Sequence, residues 1–131
     1  MITPIQFESG RVVSIPLAIS QTISIGMALV WASGYVAEAS TDEEVIDYIA
    51  MEAITTDGSS HTEILCYPAS QSRLRFEADT SANTAATQRG VAYELSTSLL
   101  IDNAETASAN GFLVDEIVGA ATEKRIRGFF L

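Results

Sequence analysis

The sequence predicts an all-β protein with little helix, built as a small barrel or sandwich of short antiparallel strands. Three observations predict this fold class: apolar and polar residues alternate at a period of two, turn signals recur every ~8–12 residues, and only one segment carries helix signals. The 131 residues suit one domain of ~100–200 residues. We predict an extended N-terminal arm over residues 1–15 and a single β domain over residues 16–131, with two lobes meeting near residue 70 as a variant.

The first seven residues are apolar and include Pro4. They are too few for an isolated helix, so they either close a sheet edge within the chain or add a strand to a neighbouring subunit. Residues 12–37 follow without a single charge. Hydroxyl and amide side chains at the centre of this run, together with Pro16 and Gly26, argue against a membrane span or a signal peptide. We expect extended, partly buried strands here.

Residues 41–54 hold the helix signals. Thr41 and Glu44 have the spacing of a capping box, and Ile46, Ile49 and Ala53 fit one helical face. The same residues also fit a strand, and the segment runs into the Asp57-Gly58 turn. We therefore favour an acidic turn leading into a strand, with residues 48–55 and 62–67 forming a hairpin, while a helix over 41–54 stays open.

The strands of the remaining sequence follow from alternation. Residues 73–77 place Leu74 and Phe76 on one face and three charges on the other, and residues 91–95 repeat this pattern. Further strands are predicted at residues 26–32, 35–39, 62–67, 112–118 and 125–130. Turn signals between them include Ser33-Gly34, Asp102-Asn103 and Asn110-Gly111. Residues 79–88 lack large apolar side chains and are predicted to form a long exposed loop.

The net charge and its distribution along the chain bear on the kind of partner. The net charge of -10 repels phosphate backbones, so a nucleic-acid partner is not expected. Residues 1–72 hold nine acids and one base, whereas residues 73–131 hold eight acids and six bases. This asymmetry predicts an acidic outward part and a more neutral part that contacts something else. The basic residues are expected either to pair with local acids or to contact an acidic partner.

Reactive side chains are scarce. His61 and Cys66 are the single histidine and the single cysteine, which excludes an intrachain disulfide and a multi-histidine zinc site. Cys66 is expected to be buried and inert, and His61 to flank a turn. Asp42, Glu43 and Glu44 with Asp47 lack the glycine and the spacing of a calcium loop. We predict no catalytic residue, no cofactor and no bound metal.

Several stretches resemble one known family. They read RLRFEADTSANTAATQRGVAYEL over residues 73–95, Leu100-Ile101-Asp102, then residues 111–114 and a closing Arg127-Gly128-Phe129-Phe130. Together they are similar to the head decoration proteins of tailed bacteriophages, also called capsid cement proteins. Residues 26–31, 35–36 and 48–53 are similar to the preceding half of that pattern. The resemblance covers residues 16–131 and does not reach the first fifteen.

The resemblance implies a non-enzymatic virion protein that coats the outside of an icosahedral capsid and clamps neighbouring capsomers, commonly as a trimer. Its partners would be the major capsid protein and copies of itself, with no membrane contact, and it would be made in the cytoplasm of the host bacterium. We assign the capsid or oligomer interface to the two chain ends and to several arginines: Ile2, Pro4, Ile5, Phe7, Arg11, Arg73, Arg75, Arg89, Phe129 and Phe130. The alternative is a small carbohydrate- or ligand-binding β module that uses loop 79–88 and Tyr35 or Tyr67.

Overall fold

The computed structural model describes residues 1–5, 12–70, 72 and 74–131. Within them, the chain forms thirteen strands and two short 3-10 helices, at Ala86–Gln88 and Ala121–Glu123. The prediction of an all-β protein is therefore confirmed. The strands are β1 (Ile2–Pro4), β2 (Val13–Leu17), β3 (Thr22–Ile23), β4 (Ala28–Ala32), β5 (Tyr35–Glu38), β6 (Tyr48–Ala50), β7 (Ile54–Thr55), β8 (Thr62–Pro68), β9 (Phe76–Thr80), β10 (Ala92–Thr97), β11 (Leu100–Thr106), β12 (Phe112–Val118) and β13 (Arg125–Phe130).

The first half of the chain forms a closed five-stranded barrel in the order β2-β5-β4-β6-β8. Its pairings are antiparallel except at the seam, where Leu17 of β2 lies beside Val36 of β5 in parallel. Strands β3 and β7 form a separate two-stranded sheet. Leu17, Leu29, Val36, Ile64 and Cys66 belong to the apolar cluster buried inside this barrel.

The second half of the chain forms another ring of strands. Pairings run β9-β11-β10-β12-β13, and β13 pairs again with β9, so the ring returns to its first strand. The parallel pairing here joins β9 and β11. Strand β1, from the start of the chain, pairs with β9 of this second sheet. The change from the first sheet to the second falls between Pro68 and Phe76.

One apolar cluster joins the two sheets. Phe76, Phe112 and Phe130 pack edge to face at its centre, with ring centroids 5.0 to 5.6 Å apart. Residues of the first half, including Ala28 and Ile49, lie in the same cluster. Part of the outer side of the barrel therefore packs against the second sheet and forms a core shared by the two halves, while the barrel interior holds its own apolar cluster.

Segment 41–47 contains no helix and leads into β6. It bonds to both sheets: Asp42 donates its backbone N–H to Leu95, and Asp47 donates its own to Leu29. The favoured prediction of an acidic turn followed by a strand is confirmed. The predicted hairpin is correct only in part, since β6 pairs with β8 while β7 pairs with β3.

Two other predictions need correction. Asp102-Asn103 is not a turn but the middle of β11, where Asn103 is buried beside the loop that it supports. Residues 79–88 are not one exposed loop: β9 extends through Thr80, a 3-10 turn spans Ala86–Gln88, and Thr84 is buried. Thr80 and Gln88 donate hydrogen bonds to the Ala82 and Asn103 carbonyl oxygens, whereas the buried Thr84 hydroxyl has no hydrogen-bond partner among the described residues.

The described parts of the predicted arm lie in the chain's own sheets. Residues 2–4 form β1 beside β9, and residues 13–15 belong to β2 of the barrel. Gly26 permits the close approach of β1, because its φ is +81° and a Cβ there would meet the Ile2 carbonyl oxygen at 2.9 Å. Among the described residues, no helix is long and apolar enough to cross a membrane.

Candidate interaction surfaces

The two reactive side chains, Cys66 and His61, both contact strand β2 of the first barrel. Cys66 is fully buried, and desolvation raises the pKa of its thiol to about 12, so the thiol stays protonated at neutral pH. The exposed His61 ring stacks on Tyr35 with centroids 3.6 Å apart, and its Nδ1 lies 3.1 Å from the Leu17 carbonyl oxygen. In the described part of the chain, neither side chain bonds to a second side chain that would activate it.

The acidic segment 41–47 acts as a structural connector. The Glu44 carboxylate accepts hydrogen bonds from the backbone N–H and the hydroxyl of Ser108 and from the Ala109 N–H. These bonds lower the pKa of Glu44 because they stabilise the charged form. Among the described residues, no group of three or more His, Cys, Asp and Glu side chains is placed to hold a metal ion.

The residues predicted for an interface divide into four groups. Ile2 and Phe130 have exposed fractions of 0% and 2%, so both side chains belong to the core of the folded chain. Pro4 and Ile5 flank β9 at the edge of the second sheet, where Ile5 donates its N–H to the Arg75 carbonyl oxygen. Phe7, Arg11 and Arg73 lie outside the described residues.

The remaining three predicted residues lie on the outside of the second half. Phe129 is half-buried and faces outward, paired with Leu113 across β12 and β13. Arg89 is exposed directly after the first 3-10 helix, and its Nε donates to the Ala86 carbonyl oxygen at 3.4 Å. Arg75 belongs to a network of ion pairs on the outer face of β9, β12 and β13.

This network, which we call the ion-pair face, contains four positive and four negative groups. Arg75 holds Asp115 through two bonds of 2.6 and 3.0 Å. Arg127 lies between Glu77 and Glu116, at 3.0 and 3.4 Å. The other members are Arg125, Asp79 and the amino group of Met1, which lies 2.6 Å from Asp79.

The ion-pair face is neutral as a whole, because every positive group in it has a carboxylate partner. The cross-strand register explains the arrangement, since Arg127 lies opposite Glu77 and Arg125 opposite Asp79 on antiparallel strands. The sequence left two interpretations of the basic residues, pairing with local acids or contact with an acidic partner. Arg75, Arg125 and Arg127 pair with local acids. Exposed pairs such as these contribute little stability, ~0–1 kcal/mol each.

The barrel of the first half has the opposite electrostatic character. Residues 12–70 contain eight carboxylates, no lysine and no arginine. No ion pair among the described residues involves any of these eight groups. Four of the eight lie in the connector 41–47, so the acidic part predicted from the sequence comprises the barrel together with this connector.

One large aromatic side chain stands exposed on this acidic barrel. Trp31 lies on the same face of β4 as Leu29, two residues nearer the end of the strand, and 46% of its surface is exposed. Its ring meets Tyr48 edge to face, with centroids 5.7 Å apart. Its backbone N–H donates to Asp47 Oδ2 at 2.9 Å. We call Trp31, Asp47 and Tyr48 the Trp31 patch.

None of the three residues of the Trp31 patch is among those that the sequence predicts for binding. The usable signal was the position of Trp31 near the end of a predicted strand, just before the Ser33-Gly34 turn, where the barrel interior no longer covers an inward side chain. Tyr67, which the sequence predicts as a residue of a ligand site, packs against the shared core instead. Tyr35 has one ring face covered by His61.

Comparisons with known proteins show a similarity among solved structures. No protein family model matches the chain, and no curated protein matches it. Among solved structures, the chain is similar to the crystal structure of the head fiber gp8.5 N base of bacteriophage phi29. The TM-score is 0.58 at 11% sequence identity, and the alignment covers 92% of this chain and 94% of the phage chain. The two chains therefore share a fold over nearly their whole lengths.

Proposed function

We propose that this chain is a non-enzymatic structural protein of a phage virion, which binds the outer surface of an icosahedral capsid and stabilises it by clamping neighbouring capsomers. The observation that carries the proposal is the fold shared with a phage head fiber base over 92% of the chain. The sequence resemblance to head decoration proteins supports the same function independently of that comparison. The proposed assembly is a homotrimer on the virion surface, made in the host cytoplasm.

The physical properties of the chain suit this function. A protein that binds the assembled shell but not its separate subunits stabilises the shell by mass action, with no need for a reactive group. The fully buried thiol of Cys66 and the turn-flanking His61 fit a protein that acts through surface contacts. The net charge of -10 keeps copies soluble when many of them are crowded on one particle.

The test uses capsid shells of the phage that encodes this chain, prepared with and without the protein. We expect electron microscopy to show added density on the outer surface of coated shells, and differential scanning calorimetry to show a higher disruption temperature. A matched sample coated with heat-unfolded protein controls for nonspecific deposition. Shells that show neither added density nor a temperature shift would contradict the proposal.

A further inference from the structure

The Trp31 patch combines two properties that distinguish it from the rest of the surface. Trp31 is the single tryptophan of the chain; its ring packs edge to face against Tyr48, and its backbone N–H donates to the Asp47 carboxylate. An exposed, pre-oriented indole offers a large contact area at a small cost in side-chain entropy. Tryptophan, tyrosine and arginine are the residues that dominate binding energy in protein interfaces.

The second property is the electrostatic field around the patch. Residues 12–70, which form the barrel that carries Trp31 and the connector 41–47, have eight carboxylates and no lysine or arginine. Asp47 lies in the patch itself, and the exposed Val45 is two residues away along the chain. The face of an indole ring attracts cations, and a nearby carboxylate strengthens this attraction. The patch therefore complements a positively charged surface that also presents apolar area.

We propose that the Trp31 patch is a docking site for a partner protein segment in which arginine or lysine alternates with an apolar side chain. A cationic group of the segment would stack on the Trp31 ring while Asp47 supplies the opposite charge. The inference deepens the proposed function and rests on it for the identity of the partner, which would be the capsid shell. The chemistry of the patch itself does not depend on that identity.

Charge favours such a segment over a second copy of this chain. A second copy would bring mostly carboxylates to this patch, since each chain carries 17 acidic and 7 basic side chains. Three of the arginines that a second copy could offer, Arg75, Arg125 and Arg127, already lie in the ion-pair face. A foreign basic segment brings its charge without breaking these pairs.

The first experiment measures binding of the full chain to the labelled peptide Arg-Leu-Arg-Leu-Arg by fluorescence anisotropy, with Gln-Leu-Gln-Leu-Gln as the neutral probe. We expect the basic peptide to bind and to change Trp31 emission, and the neutral peptide not to bind. Trp31→Ala should weaken binding at least about tenfold, as loss of a central aromatic does in other interfaces. Asp47→Asn should weaken binding less, because asparagine keeps an oxygen for the Trp31 N–H but loses the charge.

The matched control is Leu65→Ala, which removes another exposed apolar side chain, 39% accessible, from the same barrel. It should leave peptide binding unchanged. Equal binding by Trp31→Ala and Leu65→Ala, or equal binding of the two peptides, would overturn the inference. Circular dichroism of each variant establishes that it is folded. A Trp31→Phe variant serves in place of Trp31→Ala if the latter does not fold.

The second experiment separates this inference from the proposed function by using the capsid shells directly. If the wild-type chain coats shells and Trp31→Ala coats them equally well, the function stands and the docking site is wrong. If wild-type chain does not coat shells but still binds the basic peptide through Trp31, the function is wrong and the docking site stands. If sedimentation shows Trp31-dependent self-association without peptide binding, the patch binds a second copy and the proposal is overturned.

Discussion

Asn103 is a buried polar side chain that holds the segment following β9 in place. Its Oδ1 accepts the Ala82 N–H at 3.0 Å, and its Nδ2 donates to the carbonyl oxygens of Ala82 and Asn83 at 3.2 and 3.0 Å. Gln88 completes the arrangement by donating to the Asn103 carbonyl oxygen. One amide side chain thus joins β11 to the backbone of Ala82 and Asn83, as is usual for a buried polar group.

We expect Asn103→Ala to destabilise the chain. Removing the amide breaks three part-buried hydrogen bonds to the backbone of Ala82 and Asn83, at a total cost of ~1–3 kcal/mol in the free energy of unfolding. Urea denaturation measures this loss. Asn83→Ala is the matched control, since Asn83 is an exposed asparagine of the same segment whose backbone, not its side chain, contacts Asn103. A loss below ~0.5 kcal/mol for Asn103→Ala would show that the segment is held by other contacts.

The role of Asn103 could not be predicted from the sequence, because asparagine occurs in turns and also at buried positions where its amide is hydrogen-bonded. After Asp102 it looks like a turn residue, since both side chains bond readily to nearby backbone. Asn103 follows Ile101 by two residues, so in a strand the two side chains lie on the same, buried face, and this spacing argued against a turn. Trp31 shows the converse problem: a large aromatic on the inward face of a predicted strand is expected in the core, and its exposure depends on where the barrel ends.

Strand β1 shows how an edge is protected at the scale of one element. Ile2 is fully buried, and its N–H bonds to the Gly26 carbonyl oxygen on the side away from β9. Pro4 has no N–H to offer at the edge. An edge strand with few free donors does not readily pair with another chain. Both alternatives for the first residues were open from the sequence, because an apolar segment with proline suits an internal edge as well as an external one.

Deleting residues 1–5 should therefore lower the stability of the isolated chain. Loss of Ile2 burial alone removes ~1.5–3 kcal/mol from the free energy of unfolding, and the deletion also uncovers the edge of β9. Urea denaturation and light scattering should show a lower midpoint and more aggregation. Thr3→Ala is the control, because it changes an outward side chain and keeps the strand. Unchanged stability with impaired assembly would instead indicate that these residues bind another subunit.

At the scale of the whole molecule, the sequence predicts individual strands better than it predicts which distant strands pair. Strands β12 and β13 were predicted with their observed bounds because alternation and flanking turns define them locally. Ring closure was not predictable, since it joins Phe76 to Gly128 and depends on the twist of the sheets. The acidic barrel followed from charge counting along the chain. The Trp31 patch did not, because it needs the positions of β4 and segment 41–47 together.

Segment 41–47 connects the two halves, and the Glu44 carboxylate makes the charged contact within this connection. Asp42 and Glu43 bond to Leu95 of the second sheet, while Asp47 bonds to Leu29 of the barrel. The Glu44 carboxylate holds Ser108 and Ala109 against the same segment. Because the pKa of Glu44 is lower in the folded chain than its ordinary value, its contribution is present above the unfolded pKa and is lost as pH falls through the folded pKa.

Glu44→Gln should lower stability at neutral pH, because the amide loses the charge that strengthens the bonds to Ser108 and Ala109. The difference between wild type and variant should shrink as pH falls below the ordinary glutamate pKa of about 4.3, because the unfolded chain then takes up a proton at Glu44 more readily than the folded chain does, whose Glu44 pKa is lowered. Urea denaturation across pH measures both effects, and hydrogen exchange at residues 108–110 should be faster in the variant. Glu43→Gln, whose carboxylate accepts the nearby Ser40 hydroxyl, is the control and should leave that exchange unchanged. A difference between wild type and Glu44→Gln that stays constant with pH would mean that the carboxylate charge does not contribute to joining the two halves.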